Sequence, residues 1–201
     1  MTARVGILLS GRGSNLLALH EAMSRSALPA TIALVVSNKE EAPGLERAQE
    51  LGLETVCLPH RGEPSRESHD AKVVAALRRA SVEWVCLAGY MRLLSSAFVD
   101  AFPSRILNIH PSLLPAFPGM GVQQQALDWG VKVSGCTVHL VDKDLDHGPI
   151  VNQRAVSVLD DDNSESLSER ILAQEHEAYA EALKRLVTEP WQVVGRRVVF
   201  G

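Results

Sequence analysis

Residues 4–15 read RVGILLSGRGSN: an apolar run closing on Ser10, two glycines at Gly11 and Gly13, and small polar residues where a helical pattern begins. A strand that passes through a glycine turn into a helix is the first part of a βαβ unit. Similar short runs rich in Val, Ile and Leu recur at 30–37, 54–58, 84–88 and 105–110, with helical stretches between them. This alternation predicts an α/β fold: one open, mostly parallel, twisted sheet of Rossmann-like type with helices on both faces. Farther along, the pattern predicts a helix over 123–129 and strands over 132–141 and 149–158. The acidic, cap-forming DDDNS at 160–164 then opens a long helix to about residue 187, and 191–200 reads as a small hairpin.

No repeat, low-complexity segment or long linker divides the chain, so residues 1–201 are expected to form a single domain with a phosphate- and nucleotide-binding half over about 1–100 and a catalytic half over about 101–188. With 46% hydrophobic and 22% charged residues, a mainly disordered chain is excluded. A formal net charge of −4, with only the short basic pairs Arg78-Arg79 and Arg196-Arg197, lacks the electrostatic footprint of a nucleic-acid partner. Cys57, Cys86 and Cys136 are odd in number and without CxxC spacing, which predicts buried, reduced thiols rather than bridges or a zinc site, and a reducing cytoplasm. The opening apolar run is too short for a signal peptide and nothing later approaches a spanning length, so a soluble, unexported protein with no membrane partner is expected.

In open sheets of this kind ligands bind beyond the carboxyl ends of the strands. Four segments fall there: SGRGSN (10–15), AGYMRLL (88–94), NIHPS (108–112) and DKDLDHGP (142–149). The first resembles a dinucleotide fingerprint but carries Leu16 where the third glycine belongs, and the second strand ends in Ser37-Asn38 where an acidic residue would meet a ribose. A phosphate monoester held on backbone N–H groups suits it better; a plain glycine turn with a Ser or Asn helix cap is the alternative.

In LNIHPSLLPAFPG (107–119), Asn108 and His110 stand at i and i+2 of a strand end and so project together into the ligand crevice. One can hold an oxyanion while the other moves a proton, and Pro111, Pro115 and Pro118 stiffen the segment beyond them. Asp146, in a turn shaped by Gly148 and Pro149, would stabilise the charged imidazole and orient it if the fold brings the two together; otherwise it is a solvated turn residue. Its neighbours Asp142 and Asp144 raise the question of a metal, yet the spacing lacks the glycine and terminal Glu of a calcium loop, and none is expected. In the last helix Glu175 interrupts an inward stripe of Ile171, Ala178, Tyr179 and Ala182, and needs either a ligand hydroxyl or amine, or a route to water or an arginine. His139 and His176 receive no role, and His20, His60 and His69 read as surface positions.

SGRGSN, LAGYMRLL, LNIHPSLLPAFPG, LDHGP and AQEHEAY, in this order over about residues 4–187, together resemble the phosphoribosylglycinamide formyltransferase family, the folate-dependent enzymes of purine biosynthesis. The resemblance implies transfer of a formyl group from the co-substrate 10-formyltetrahydrofolate to the amine of phosphoribosylglycinamide (GAR), with no metal. It implies a catalytic trio of Asn108, His110 and Asp146; GAR binding by Gly13, Ser14, Asn15 and Glu175; and folate binding by Arg66, Met91, Arg92, Leu93 and Leu94. The loop of Asp142, Lys143, Asp144 and Leu145 is implied to close around the pterin, so that residues 101–188 form the catalytic and folate-binding half. The assembly would be a monomer or homodimer. Two departures stand out: Gln123 where the family has a histidine after the proline loop, and His147 at a usually small position, which is expected to alter the loop's flexibility. Related methionyl-tRNA formyltransferases would add a C-terminal domain and a basic surface, and formyltetrahydrofolate deformylases an N-terminal regulatory domain; neither is expected here. A non-catalytic nucleotide-binding module, with Asn108 and His110 structural, is the reading from another class.

Overall fold

The structure is a computed structural model that describes residues 2–25 and 27–201. Among the described residues nine strands join in one sheet of order β3-β2-β1-β4-β5-β6-β7-β9-β8. Strands β1 (Ala3–Leu9), β2 (Ala30–Ser37), β3 (Thr55–Cys57), β4 (Trp84–Leu87) and β5 (Ile106–His110) run parallel. They are near-continuous apolar runs because both faces are covered. Helices α1 (Ser14–Ser24), α2 (Pro43–Glu50), α3 (Arg66–Arg79) and α4 (Ser96–Ala101) make the crossovers. Two apolar clusters result, one per face: Val5, Ile7 and Leu9 point into the first, whereas Leu8 joins Val36, Leu77 and Phe98 in the second. This division follows the period of two along a strand.

After α5 (Val122–Asp128) the chain turns antiparallel, with β6 (Val133–Leu140) pairing both β5 and β7 (Ile150–Ser157). Helix α6 (Ser164–Thr188) then crosses back over the first face. Asn163 caps it, accepting from the N–H groups of Glu165 and Ser166 while Ser166 Oγ accepts from the N–H of Asn163, the reciprocal arrangement of a capping box. Buried Tyr179 of α6 donates to the carbonyls of Leu87 and Leu107, tying α6 to the end of β4 and the first half of β5. The predicted tail hairpin is present as β8 (Trp191–Val194) and β9 (Arg197–Phe200), added to the sheet by a parallel pairing of Arg197 with Ile150. Trp191 seats it, donating from Nε1 to the Leu186 carbonyl and packing 6.0 Å from Trp84.

Two expectations need correction. His69 is fully buried, its Nε2 bonded to the Leu58 carbonyl at 2.8 Å, and adjacent Asp70 accepts from the N–H of Ser95 just after the GYMRLL segment. Its polar neighbours in PSRESHD hid this position from the apolar pattern. All three cysteines are free, but Cys57 is only half buried; Cys86 and Cys136 are buried, and burial pushes both thiols up to about 12, favouring the protonated form. Among the described residues no helix is long and apolar enough to cross a membrane.

Candidate active site

At the tip of β1, Gly13 takes φ 75° and precedes the first turn of α1 without a side-chain cap. A Cβ on Gly13 would lie 2.7 Å from the Cα of Gly44, and Gly44 in turn donates its N–H to the Gly11 carbonyl. Two backbones therefore touch here, and the turn needs glycine for its angle and for this approach. The N-terminal amides of α1 face a cleft of ≈ 430 Å³ lined by Gly13, Ser14, Asn15, Lys39, Met91, Pro111, Gln123 and Glu175. Unpaired helix N–H groups with a cation nearby suit an anionic ester. Lys39 and Arg12, neither singled out by the sequence, line the cleft as cations. Ser10 ties the rim together, donating from Oγ to Asn38 Oδ1 and accepting from the N–H of Met91.

Glu175 reaches this cleft from α6, only 7% exposed, and accepts from Asn15 Nδ2 at 2.8 Å. Burial raises its carboxyl above the ordinary range; the Asn15 hydrogen bond and the charge of His110 oppose this. The partner left open by the sequence is thus Asn15, whose own Oδ1 is buried without a partner.

A second cleft of ≈ 540 Å³ contains Asn108, His110 and Asp146 together. The proline-rich loop after β5 curls back so that the Phe117 carbonyl accepts from His110 Nε2 at 2.9 Å and the Gly119 N–H donates to Asp146 Oδ2 at 2.8 Å. This is what the stiffened segment does: it supplies the acceptor that orients the ring and the donor that holds the acid. Nδ1 of His110 faces Asp146 Oδ2 at 3.4 Å, with both side chains under a tenth exposed. Asp146 itself sits at φ 49°, a left-handed conformation that Asp tolerates better than most residues.

His139, without a role on sequence grounds, is corrected by the structure. It donates from Nδ1 to the Leu140 carbonyl and accepts at Nε2 from Asn108 Nδ2 at 3.1 Å. Burial lowers its pKa, consistent with the neutral ring this pairing requires. The Asn108 amide is thereby fixed, with one N–H remaining for the cleft. No spacing rule could have found the contact, because β6 brings His139 opposite Asn108 only through antiparallel register.

A third, smaller pocket next to Asn108 gathers Arg66, Arg92, Leu93, Leu94, Asp142, Lys143, Asp144 and Leu145, so every predicted folate residue other than Met91 lines it, and Met91 lines the cleft beside it. Exposed Met91, Leu93, Met120 and Leu145 give the region an apolar rim. Tyr90, absent from the predicted set, lines both spaces with its buried hydroxyl unpartnered, and burial raises its pKa. Gln123, the departure after the proline loop, stands between the two large clefts. Asp142, Asp144 and His147 offer ligand atoms within 4.8 Å of one another, although no metal was expected; both ring nitrogens of His147 are already hydrogen-bonded, to Asp142 and Arg196.

A family model described as formyl transferase matches residues 3–183. The chain belongs to the formyl transferase family. This family member is 48% identical over 186 residues to the trifunctional purine biosynthetic protein adenosine-3 of Drosophila melanogaster, covering 92% of the chain and 14% of that much longer relative. It is 41% identical to the phosphoribosylglycinamide formyltransferase of Escherichia coli K12, over 86% of the chain and 82% of the relative. Its fold matches glycinamide ribonucleotide transformylase 1 from Symbiobacterium toebii with a TM-score of 0.97 at 47% identity, covering 99% of this chain and 94% of that one.

Proposed function

We propose that this chain transfers the formyl group of 10-formyltetrahydrofolate to the amine of GAR, a step of purine biosynthesis. One observation above others supports the reading: Asn108, His110 and Asp146 lie in a cleft that shares Gly89, Met91, Ile109, Pro111 and Gln123 with the cleft at the α1 N-terminus. A phosphate held on one side would thus put its amine within reach of a donor on the other. The names of the relatives from Escherichia coli and Symbiobacterium toebii agree with this.

In this reading the N–H groups at Gly13, Ser14 and Asn15 cradle the GAR phosphate, and Glu175 accepts from a ribose hydroxyl. Arg66, Met91, Arg92, Leu93 and Leu94 hold the folate, while Asp142, Lys143, Asp144 and Leu145 enclose the pterin, whose amide-like edge is read by backbone groups. The uncharged amine attacks the formyl carbon, and as the new C–N bond forms the carbonyl electron pair moves onto oxygen. The remaining N–H of Asn108 and a proton on His110 Nδ1 meet that oxygen. Asp146 balances the charge on the ring. His110 gives its Nδ1 proton to the departing folate nitrogen, the proton leaving the attacking nitrogen replaces it, directly or through a water held by Asp146, and the bond from that folate nitrogen to carbon breaks and restores the carbonyl. These steps need neither a metal nor a covalent enzyme intermediate. The chain acts as one domain, soluble in the cytoplasm.

The test mixes the protein with GAR and a 10-formyl folate analogue and follows the absorbance of the deformylated product. Release that depends on GAR, at a rate saturating in both substrates, is expected. Release without GAR would make the chain a deformylase, and no release with folded protein would overturn the assignment.

A further inference from the structure

We propose that Arg196, at the turn of the C-terminal hairpin, is a positioning residue for the loop that carries Asp146, acting through His147. The loop spans 141–149 between β6 and β7, and its ends are held by backbone bonds from the Val141 N–H to Ile106 and from the Leu140 N–H to Pro149. Asp146 accepts from the Gly119 N–H and faces His110 and His139; between these points the middle of the loop is held from outside by Lys143 pairing with Asp100 and by Arg196 gripping His147. The last of these is two-pronged. Arg196 Nη2 donates to the His147 carbonyl and Nη1 to its Nε2 at 2.7 Å. Nη1 also lies 3.4 Å from Nδ1, but a guanidinium only donates, and its shorter contact to Nε2 together with the Asp142 carboxylate at Nδ1 fits a ring bare at Nε2 and protonated on Nδ1. Nδ1 then donates to Asp142 Oδ2 at 2.8 Å, and Asp142 Oδ1 in turn accepts from the Asp144 N–H. One chain of hydrogen bonds thus runs from the hairpin through His147 and Asp142 into the segment that lines the pocket beside Asn108.

A strap is useful only if its far end is fixed, and the hairpin is. Trp191 is held by the Leu186 carbonyl and by Trp84, Arg105 lies over the Trp84 ring at 4.7 Å, and Arg185 lies over Phe200 at 3.7 Å. Arg197, next to Arg196, pairs with Ile150 at the first residue of β7. Asp146 gains from such support, because its φ of 49° lies in a region that even Asp occupies less readily than right-handed or extended backbone. A small residue at position 147 could receive only the contact to its carbonyl; the imidazole adds a second prong and the link to Asp142.

The kinetic part of the test rests on the proposed formyl transfer, whereas the exchange part does not. Hydrogen exchange of the full chain should be faster over 142–149 in Arg196→Ala than in wild type, and unchanged over 10–15. Arg197→Ala, in the same hairpin, should leave it unchanged. In turnover, Arg196→Ala should raise KM for the formyl folate and lower kcat, each about three- to tenfold, with KM for GAR constant, the scale set by one exposed charge-assisted contact. The double variant with His147→Ala should be no worse than either single one. Unchanged exchange over 142–149, an equal change in KM for both substrates, or additive effects in the double variant would each overturn the proposal. A wild-type protein inactive on GAR, but with an Arg196-dependent loop, would remove the functional assignment and leave the strap standing.

Discussion

Replacing Asp146 by Asn isolates the acid's charge from its shape. The amide retains an oxygen to accept from the Gly119 N–H, and Asn tolerates the φ of 49° found here, so the loop has reason to keep its course. What disappears is the carboxylate 3.4 Å from His110 Nδ1. At that separation and an effective dielectric constant of about 20, the attraction to a charged ring is about 5 kcal/mol. With about 1.36 kcal/mol per decade of rate, the ceiling on the loss lies between about 10³ and 10⁴. Solvent reorganisation and a substitute water return part of it, so kcat should fall by about 10²–10³, with KM for GAR within a few-fold of wild type. The assay is the absorbance of the deformylated folate analogue under saturating GAR, on protein whose circular dichroism and melting match wild type. A kcat within tenfold of wild type would falsify the claim that this carboxylate sustains charge at the reacting centre.

Changing Ser14 and Asn15 together to Ala should chiefly raise KM for GAR through lost phosphate and Glu175 contacts, read from initial rates at fixed folate; an unaltered KM removes the phosphate cradle. Glu175→Gln keeps an acceptor for Asn15 while discarding a buried charge. Because folding raises this carboxyl's pKa, its ionisation costs stability above the unfolded value of about 4.3. Glu175→Gln should therefore melt at or above the wild-type temperature at pH 7, with the gap closing toward pH 4, and should raise KM for GAR; a variant melting lower at pH 7 than at pH 4 relative to wild type contradicts the sign. Gly148→Ala would put a Cβ 1.8 Å from the Leu140 carbonyl oxygen, so denaturant melts should show a loss of about 2 kcal/mol or more, and an unchanged midpoint would mean the turn relaxes freely.

The sheet was legible because its parallel strands are buried on both faces and therefore stand out as unbroken apolar runs; the expected and observed limits differ by one residue at each end of β1 and at the start of β5. Asn108 and His110 were legible for a related reason, since a strand's period of two fixes which side chains share a side. The features missed are those in which a backbone group or a distant register makes the contact. Phe117 holds His110 through its carbonyl, Gly44 meets Gly13 through its Cα, and His139 reaches Asn108 only once β6 is laid antiparallel to β5. None of these leaves a trace in side-chain type or spacing. Asp146 is intermediate: turn chemistry located its loop, but only the folded chain brings it to the ring.

The hydroxyl of Tyr179 has a mechanical consequence. By joining α6 to the carbonyls of Leu87 in β4 and Leu107 in β5, it makes Glu175, Asn108 and His110 parts of one stiff chassis, to which Asp146 belongs only through turns. Warming should accordingly loosen the acid's side of the cleft well before the amine-accepting side, giving a temperature range in which the phosphate ester still docks while the donor no longer does.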